Sequence, residues 1–294
     1  MTETLLTAWK AAQARLKDAG IDSPAIDARL LLEAAAGATR LDILSDPYRL
    51  VTPDQQDALD GFVERRLRRE PVSRILGRKG FWKIMVNVTP DVLSPRPDTE
   101  TLLDIALLAF QPHQAFTVID LGTGSGAILL AILAERSGAQ GAGTDVSSEA
   151  LAVARENAAN LDLDGRATFL RTEWAAGFGD ASFDLVVSNP PYIPSDDIPG
   201  LDPEVRDHDH DPHLALDGGP DGLQAYCELV PEIARILKPG GTFAVEIGWD
   251  QGAAVRALFE AAGFIGVKVV KDLGDRDRVV TNGPDPRTNP IPGS

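Results

Sequence analysis

The chain has little cysteine, a deficit of positive charge and no long uninterrupted apolar run, and each shortage excludes a class of protein. Cys227 is the only cysteine, so no internal disulfide can form and a reducing compartment is expected. It falls in the apolar stretch Ala225–Val230 and reads as a core residue rather than a nucleophile. Arg, Glu, Gly or Pro interrupts every apolar run well before the ~20 residues that a membrane span requires. The start, Met1-Thr2-Glu3-Thr4, lacks the basic region and apolar core of a signal peptide. A cytoplasmic protein without a membrane partner is expected. Lys and Arg number 28 against 44 Asp and Glu, a net charge of −16. Wrapping a long duplex takes many cationic contacts, so no stable nucleic-acid partner is expected. One stretch departs from this balance: Arg65, Arg66, Arg68, Arg69, Arg74, Arg78 and Lys79. It reads as a solvated helix face in preference to a partner-docking patch.

What is present is enough for a sizeable core: 44% of the 294 residues are hydrophobic, which suits one medium domain and a smaller one. Residues 1–80 read as a small helical domain. Leu5, Trp9, Ala12 and Leu16 recur at helical spacing before Gly20. Ser23-Pro24 reads as an N-cap and first helical position, with Ile26, Leu30, Leu31 and Ala34 following. Thr52-Pro53-Asp54-Gln55 is a capping box opening a third helix through Leu59, Phe62, Val63 and Leu67. Residues 81–97 read as a hairpin and linker: Phe81–Val88 is rich in strand formers, and Leu93–Asp98 is too proline-rich for a helix interior. From 98 to 283 strands and helices alternate. Strands are expected at Phe116–Leu121, Gly141–Val146, Ala167–Leu170, Phe183–Val187 and Thr242–Ile247. Helices are expected at Asp98–Phe110, Ala127–Glu135, Ser148–Asn160 and Leu223–Leu237. Repeated strand–helix units imply an α/β fold with a parallel sheet covered on both faces. The proline-bearing tail 284–294 reads as flexible.

Two segments carry chemistry. Gly122-Thr123-Gly124-Ser125-Gly126 follows the first of these strands and opens a helix. Glycines there permit a tight turn and a close approach of ligand to backbone. Asp145, at the end of the next strand, is placed to accept hydrogen bonds from both hydroxyls of a ribose. With Ala127 the segment also fits the pattern of NAD-binding folds, so the loop alone leaves NAD and S-adenosyl-L-methionine both open. Asn189-Pro190-Pro191-Tyr192 separates them. It follows the strand ending at Val187, at the carboxyl end of the sheet where open α/β folds bind ligands. The prolines remove two donors and fix φ, which leaves a rigid turn presenting carbonyl acceptors beside the Asn189 side-chain oxygen. Tyr192 adds a flat face. Such a set suits a planar NH2 nucleophile, and hydride transfer has no use for it.

These two segments resemble the amino methyltransferases of the class I fold, which implies a Rossmann-like sheet and admits glutamine, adenine N6, cytosine N4 or guanine N2 as target. Further segments narrow the choice: Pro71–Gly77, Phe81-Trp82, Pro95-Arg96-Pro97-Asp98-Thr99-Glu100, Ala215–Gly219, and Asp272-Leu273-Gly274 with Arg278. In these, and in Ser23-Pro24, Asp27 and Leu30–Leu32, the chain resembles the release-factor glutamine methyltransferases (the HemK/PrmC family) from about residue 5 to 282. The resemblance implies N5-methylation of the glutamine in the Gly-Gly-Gln motif of class 1 peptide chain release factors, with S-adenosyl-L-methionine as donor. It implies that Gly122, Thr123, Gly124, Ser125, Gly126, Asp145 and Asn189 contact the donor and that Trp174 lies against its adenine. It also implies that Asn189 and the Pro190 carbonyl hold the glutamine amide, with Pro191 stiffening the turn and Tyr192 packing on the substrate. Arg96 and Glu100 are expected to shape the pocket. Asp207-His208-Asp209-His210-Asp211 with His213 suggests a metal by residue type, but methyl transfer to nitrogen needs none. A loop bordering the substrate entrance is expected there instead. The rivals are a glutamine methyltransferase of a ribosomal protein and an adenine-N6 methyltransferase of nucleic acid. The oligomeric state stays open, a monomer being compatible with the sequence.

Overall fold

The computed structural model describes residues 3–201 and 211–288; the expectations for Asp207–His210 and for 289–294 lie outside the described residues. The chain divides into two compact units, one running to Arg78 and the other made of Lys79–Leu201 with the chain from Asp211 onward.

The first unit is helical: α1 (Leu5–Asp18), α2 (Pro24–Ala36), α3 (Arg40–Ser45), α4 (Pro53–Leu67) and α5 (Val72–Leu76). Leu5, Leu16, Leu31, Leu32, Leu59 and Val63 form its core, one apolar stripe from each long helix. Thr52 and Gln55 close a reciprocal capping box with Pro53 at the first helical position. Ser23 precedes Pro24 but makes no side-chain cap bond, so the expected cap there is positional only. The short helices α3 and α5 span too few residues to show a period. In the basic stretch Arg68 and Arg78 are exposed, but Arg65, Arg66 and Arg69 are committed to the unit itself. Arg65 pairs with Glu70 and donates to the Ile75 carbonyl at 3.1 Å. Arg66 pairs with Asp27 at 2.7 Å, and Arg69 donates to the Ala19 carbonyl at 3.2 Å. These side chains tie the unit's own elements together, so the solvated-face reading does not describe them.

The second unit opens with a two-stranded hairpin, β1 (Arg78–Phe81) and β2 (Ile84–Asn87). Its sheet comprises β3 (Phe116–Leu121), β4 (Ala139–Asp145), β5 (Ala167–Arg171), β6 (Phe183–Ser188), β7 (Leu237–Glu246), β8 (Lys268–Lys271) and β9 (Asp277–Thr281). The order is β5-β4-β3-β6-β7-β9-β8. The first five strands run parallel, and β9 and β8 are antiparallel additions. The parallel sheet expected from the alternation is therefore completed by a terminal hairpin. Its strands are short, and Lys-Val-Val-Lys at β8 has no decisive period. Helices α6 (Glu100–Ala109), α7 (Ala127–Glu135), α8 (Ser148–Asn160), α9 (Gln224–Ile236) and α10 (Gly252–Ala261) accompany the strands. Two apolar clusters result, one including Val118, Leu129, Leu133 and Leu185, the other Ile119, Val186, Tyr226 and Phe243. Adjacent strand residues thus feed opposite faces, as a sheet buried on both sides requires.

From β3 the chain winds outward through β4 and β5, then returns to place β6 and β7 on the other side of β3. The reversal between β3 and β6 opens a crevice at their carboxyl ends. Cys227 corrects an expectation: it is exposed. The period of α9 buries Ala225, Tyr226, Leu229, Val230 and Ile233 and turns Cys227 outward. Among the described residues, no helix is long and apolar enough to cross a membrane.

Candidate active site

The glycine loop connects β3 to α7. Gly122, Gly124 and Gly126 have φ of 73°, 53° and 80°, a left-handed region that side-chain-bearing residues enter at a cost. The loop is pinned from three sides. Thr123 donates through Oγ1 to Asp120 at 2.7 Å. Asp120 is fully enclosed, and burial pushes its carboxyl up to about 7 despite that hydroxyl. Asn157, buried on α8, donates to the carbonyls of Ser125 at 2.9 Å and Asn87 at 3.1 Å, coupling loop to hairpin. Asp145, at the end of β4, accepts from the Gly124 N–H and the Ser147 N–H, each at 3.0 Å. Each of its oxygens keeps a further lone pair for a ligand. Trp174 takes φ of 45°, rare for a bulky residue. Its indole N–H donates to Glu228 at 3.0 Å. Its ring lies 3.9 Å from where a Cβ on Gly122 would stand.

Across the crevice, Ser188 donates to the Leu121 carbonyl at 2.6 Å, locking the end of β6 to the end of β3. The chain then enters Asn189-Pro190-Pro191-Tyr192. Asn189 Nδ2 donates to Thr99 Oγ1 at 3.3 Å. The Tyr192 carbonyl accepts from Gln251 Nε2 at 2.9 Å. Ile193 pairs through its backbone with Leu216 and Gly218 at 3.0 and 2.8 Å. A Cβ on Gly218 would come within 2.8 Å of Tyr192 Cα, and one on Gly222 within 2.5 Å of the Tyr192 carbonyl oxygen. Glycine is what lets that neighbouring loop close onto the motif. The Tyr192 ring packs against the second apolar cluster, with its hydroxyl 3.5 Å from Glu246 Oε1. Burial first, then the Glu246 carboxylate, raises the phenol's pKa, so it stays a neutral donor. Burial likewise pushes Glu246 up to about 7, with the Thr99 hydroxyl and Arg278 acting in the opposite direction.

One cavity of about 790 Å³ joins the two halves. Its wall includes Gly122, Thr123, Gly124, Ser125, Asp145 and Trp174 on one side, and Thr99, Asn189 and Pro191 on the other. Phe81, Val92, Leu93 and Pro95 add an apolar flank, and His213 with Gly218 and Gly219 a second. Gly126, Pro190 and Tyr192 stand outside this wall. Gly126 begins α7, Pro190 is buried, and the Tyr192 ring faces the core rather than offering a flat face to the cavity. Arg96 and Glu100 act as braces: Arg96 pairs with Asp211, and Glu100 accepts the Trp82 N–H at 3.0 Å. Thr99, Asn157, Glu246 and Gln251 escaped sequence reasoning. The one sequence signal among them is Glu246, an acid inside the apolar run Phe243–Ile247.

The wall fits an adenosyl sulfonium such as S-adenosyl-L-methionine. Asp145 is a carboxylate with spare lone pairs, the glycine loop admits a ligand to the backbone, and Trp174 gives an aromatic surface. Residues 7–77 match the family model described as the PrmC N-terminal domain, and residues 112–270 match a methyltransferase domain. The chain is 62% identical over 290 residues to the release factor glutamine methyltransferase of Caulobacter vibrioides, covering 99% of this chain and 100% of that one. It is 46% identical to the release factor glutamine methyltransferase of Rhodospirillum rubrum (90% of this chain, 80% of that one). Identity to that of Agrobacterium fabrum is 43% (92% and 94%). Similarity of this extent runs through the helical unit as well as the sheet, and the chain belongs to the release factor glutamine methyltransferase family.

Proposed function

We propose that this enzyme methylates the side-chain amide nitrogen (N5) of the glutamine in the Gly-Gly-Gln motif of class 1 peptide chain release factors, with S-adenosyl-L-methionine as methyl donor, in the cytoplasm. The observation that carries the reading is the shared cavity: Asn189 and the Gly122–Ser125 loop with Asp145 line one space. Gly122, Thr123, Gly124, Ser125, Asp145 and Trp174 would hold the donor, with Gly126 shaping the turn into α7; when bound the donor supplies a methyl group already activated by its sulfonium.

The protein's task is then to orient the nucleophile. A primary amide is planar and its nitrogen lone pair is delocalised. Asn189 Oδ1 and the Pro190 carbonyl accept the two amide N–H bonds, which shifts electron density onto nitrogen and holds it in line with the methyl. Positioning of this kind contributes several kcal/mol to a bimolecular reaction. Pro190 and Pro191 keep the acceptors from relaxing, and Tyr192 holds the turn from behind through its ring and hydroxyl. As the N–CH3 bond forms the donor's S–CH3 bond breaks, which leaves a neutral thioether, and the nitrogen releases one proton to solvent.

The test is to incubate the protein with methyl-labelled S-adenosyl-L-methionine and, separately, a release factor, ribosomal proteins and DNA, then locate the label by peptide mass. Label on the Gly-Gly-Gln glutamine is expected. Label on a ribosomal protein or on DNA would overturn the substrate assignment.

A further inference from the structure

A turn is ordinarily held to its neighbours by backbone N–H groups as well as by carbonyls. In Asn189-Pro190-Pro191-Tyr192 the two prolines have no N–H to give, and the Asn189 oxygen and the Pro190 carbonyl are the acceptors left for a substrate amide. The turn therefore needs a donor from elsewhere, acting on a carbonyl that the substrate does not use. We propose that Gln251 is a positioning residue: its side-chain amide clamps the turn through the Tyr192 carbonyl and joins it to the Gly218–Gly222 loop as one wall. The inference rests on the reading of this site as a glutamine methyltransferase.

Gln251 leads into α10 and its backbone is fixed at both ends. Its N–H donates to the Gly248 carbonyl and its carbonyl accepts from the Val255 N–H, each at 3.0 Å. The residue is 8% exposed. Nε2 donates to the Tyr192 carbonyl at 2.9 Å and to the Gly222 carbonyl at 3.1 Å. Oε1 accepts from the Gly248 N–H at 3.0 Å. A carbonyl only accepts and an N–H only donates, so the amide fits in one orientation, with both of its protons spent on the two carbonyls. Glycines clear the space around it. A Cβ on Gly222 would stand 2.6 Å from Nε2, and one on Gly248 2.9 Å from Oε1, too close for a side chain at either place to leave the amide where it is.

The loop that shares this nitrogen runs beside the turn and is zipped to it. Ile193 donates to the Leu216 carbonyl at 3.0 Å, Gly218 to the Ile193 carbonyl at 2.8 Å, and Ser195 to the Gly219 carbonyl at 2.9 Å. Asp217 stiffens the loop from within, accepting from Ser195 Oγ at 2.7 Å and from the Gly219 N–H at 2.9 Å. Gly218 and Gly219 line the cavity. One nitrogen thus ties the carbonyl that follows the prolines to the carbonyl at the far end of the loop. Without it both carbonyls lose a donor and the turn is free to shift, carrying the Asn189 and Pro190 acceptors with it. None of these bonds goes to Gly122–Ser125 or Asp145, so the clamp acts on the nucleophile and leaves the donor alone.

The experiment compares the full-length wild type with Gln251→Met and Gln251→Glu, using a release factor and S-adenosyl-L-methionine. Methionine keeps the length of the side chain and removes both donors. Glutamate keeps the acceptor for Gly248 and has at most one proton for the two carbonyls. Gln251→Met is expected to lower kcat by about 10²-fold, the scale of a small misplacement at a reacting centre. Gln251→Glu is expected to lower it by about 10-fold, the scale of one lost hydrogen bond. In both, KM for the release factor and the affinity for S-adenosyl-L-methionine stay within a few fold. Should Gln251→Met fail to fold, the near-isosteric Gln251→Glu decides by the same split between kcat and donor affinity. Undiminished kcat in the folded variant, or a donor affinity that falls in step with kcat, overturns the inference alone. Absence of methyl-glutamine with the wild type overturns the functional reading, and the inference with it.

Discussion

The two halves of the cavity are built by different means. The half proposed to hold the donor is mostly backbone: three left-handed glycines, a strand end and the helix that follows, with Asp145 docked on the Gly124 and Ser147 N–H groups. Apart from Ser147 and Trp174, it comes from one contiguous strand–loop–helix–strand run, Phe116–Asp145. The half proposed to hold the nucleophile takes a rigid turn and holds it by side chains from far along the chain: Thr99, Gln251 and Glu246. A backbone device tolerates changes around it, whereas a side-chain network fails when one member is lost. Mutations should therefore separate the two halves cleanly, the first in donor affinity, the second in turnover.

The largest effect is expected from Asn189→Ala. Removing one preorganised hydrogen-bonding group at a reacting centre costs about 10²–10³ in kcat, while donor affinity measured by calorimetry stays within a few fold. A matching collapse of donor affinity would show that the halves are not separable. Next comes Asp145→Ala. Hydrogen bonds to a charged group contribute about 1.5–3 kcal/mol, so donor affinity should fall by roughly 10- to 100-fold. Turnover should be partly restored at high S-adenosyl-L-methionine; a kcat loss that excess donor does not relieve would contradict the division.

The smallest effect concerns pH. Glu246 is pushed from its ordinary 4.5 to about 7 by burial. Folded protein then holds a proton that unfolded chain has released. The stability this confers is fully present below about 4.5 and is lost as pH rises through about 7. Asp120 behaves alike, being pushed to about 7. Glu246→Gln should therefore reduce, without abolishing, the fall in unfolding free energy across that window, measured by denaturant titration. An unchanged slope would mean that Glu246 does not titrate there.

Local patterns carried most of the fold. The run Phe116–Leu121 and the helix Ala127–Glu135 appear where the apolar run and the glycines place them, because a buried parallel strand and its crossover helix each leave a period in the sequence. The capping box at Thr52 is a bond between residues three apart, and so it too is visible locally. The antiparallel β8–β9 hairpin was not, being short and without decisive alternation. Cys227 shows the limit of reading composition alone: its neighbours are apolar, but the helical period of α9 aims it outward. Arg66 and Arg69 make the same point, since their partners Asp27 and Ala19 lie some 40 to 50 positions away in the sequence.

By itself, the sequence determined an α/β sheet unit preceded by helices, a glycine loop with its acid, and a proline-stiffened Asn189 turn. All of these rest on residues within a few positions of one another, or on a repeating period. Only the tertiary structure decided that Tyr192 serves the core side of the turn and that Arg96 and Glu100 brace rather than line the cavity. It alone brought the Thr99 hydroxyl and the Glu246 carboxylate behind Asn189. Apart from the bond between Glu100 and Trp82, those relations join segments more than fifty residues apart, brought together where the strand order reverses between β3 and β6.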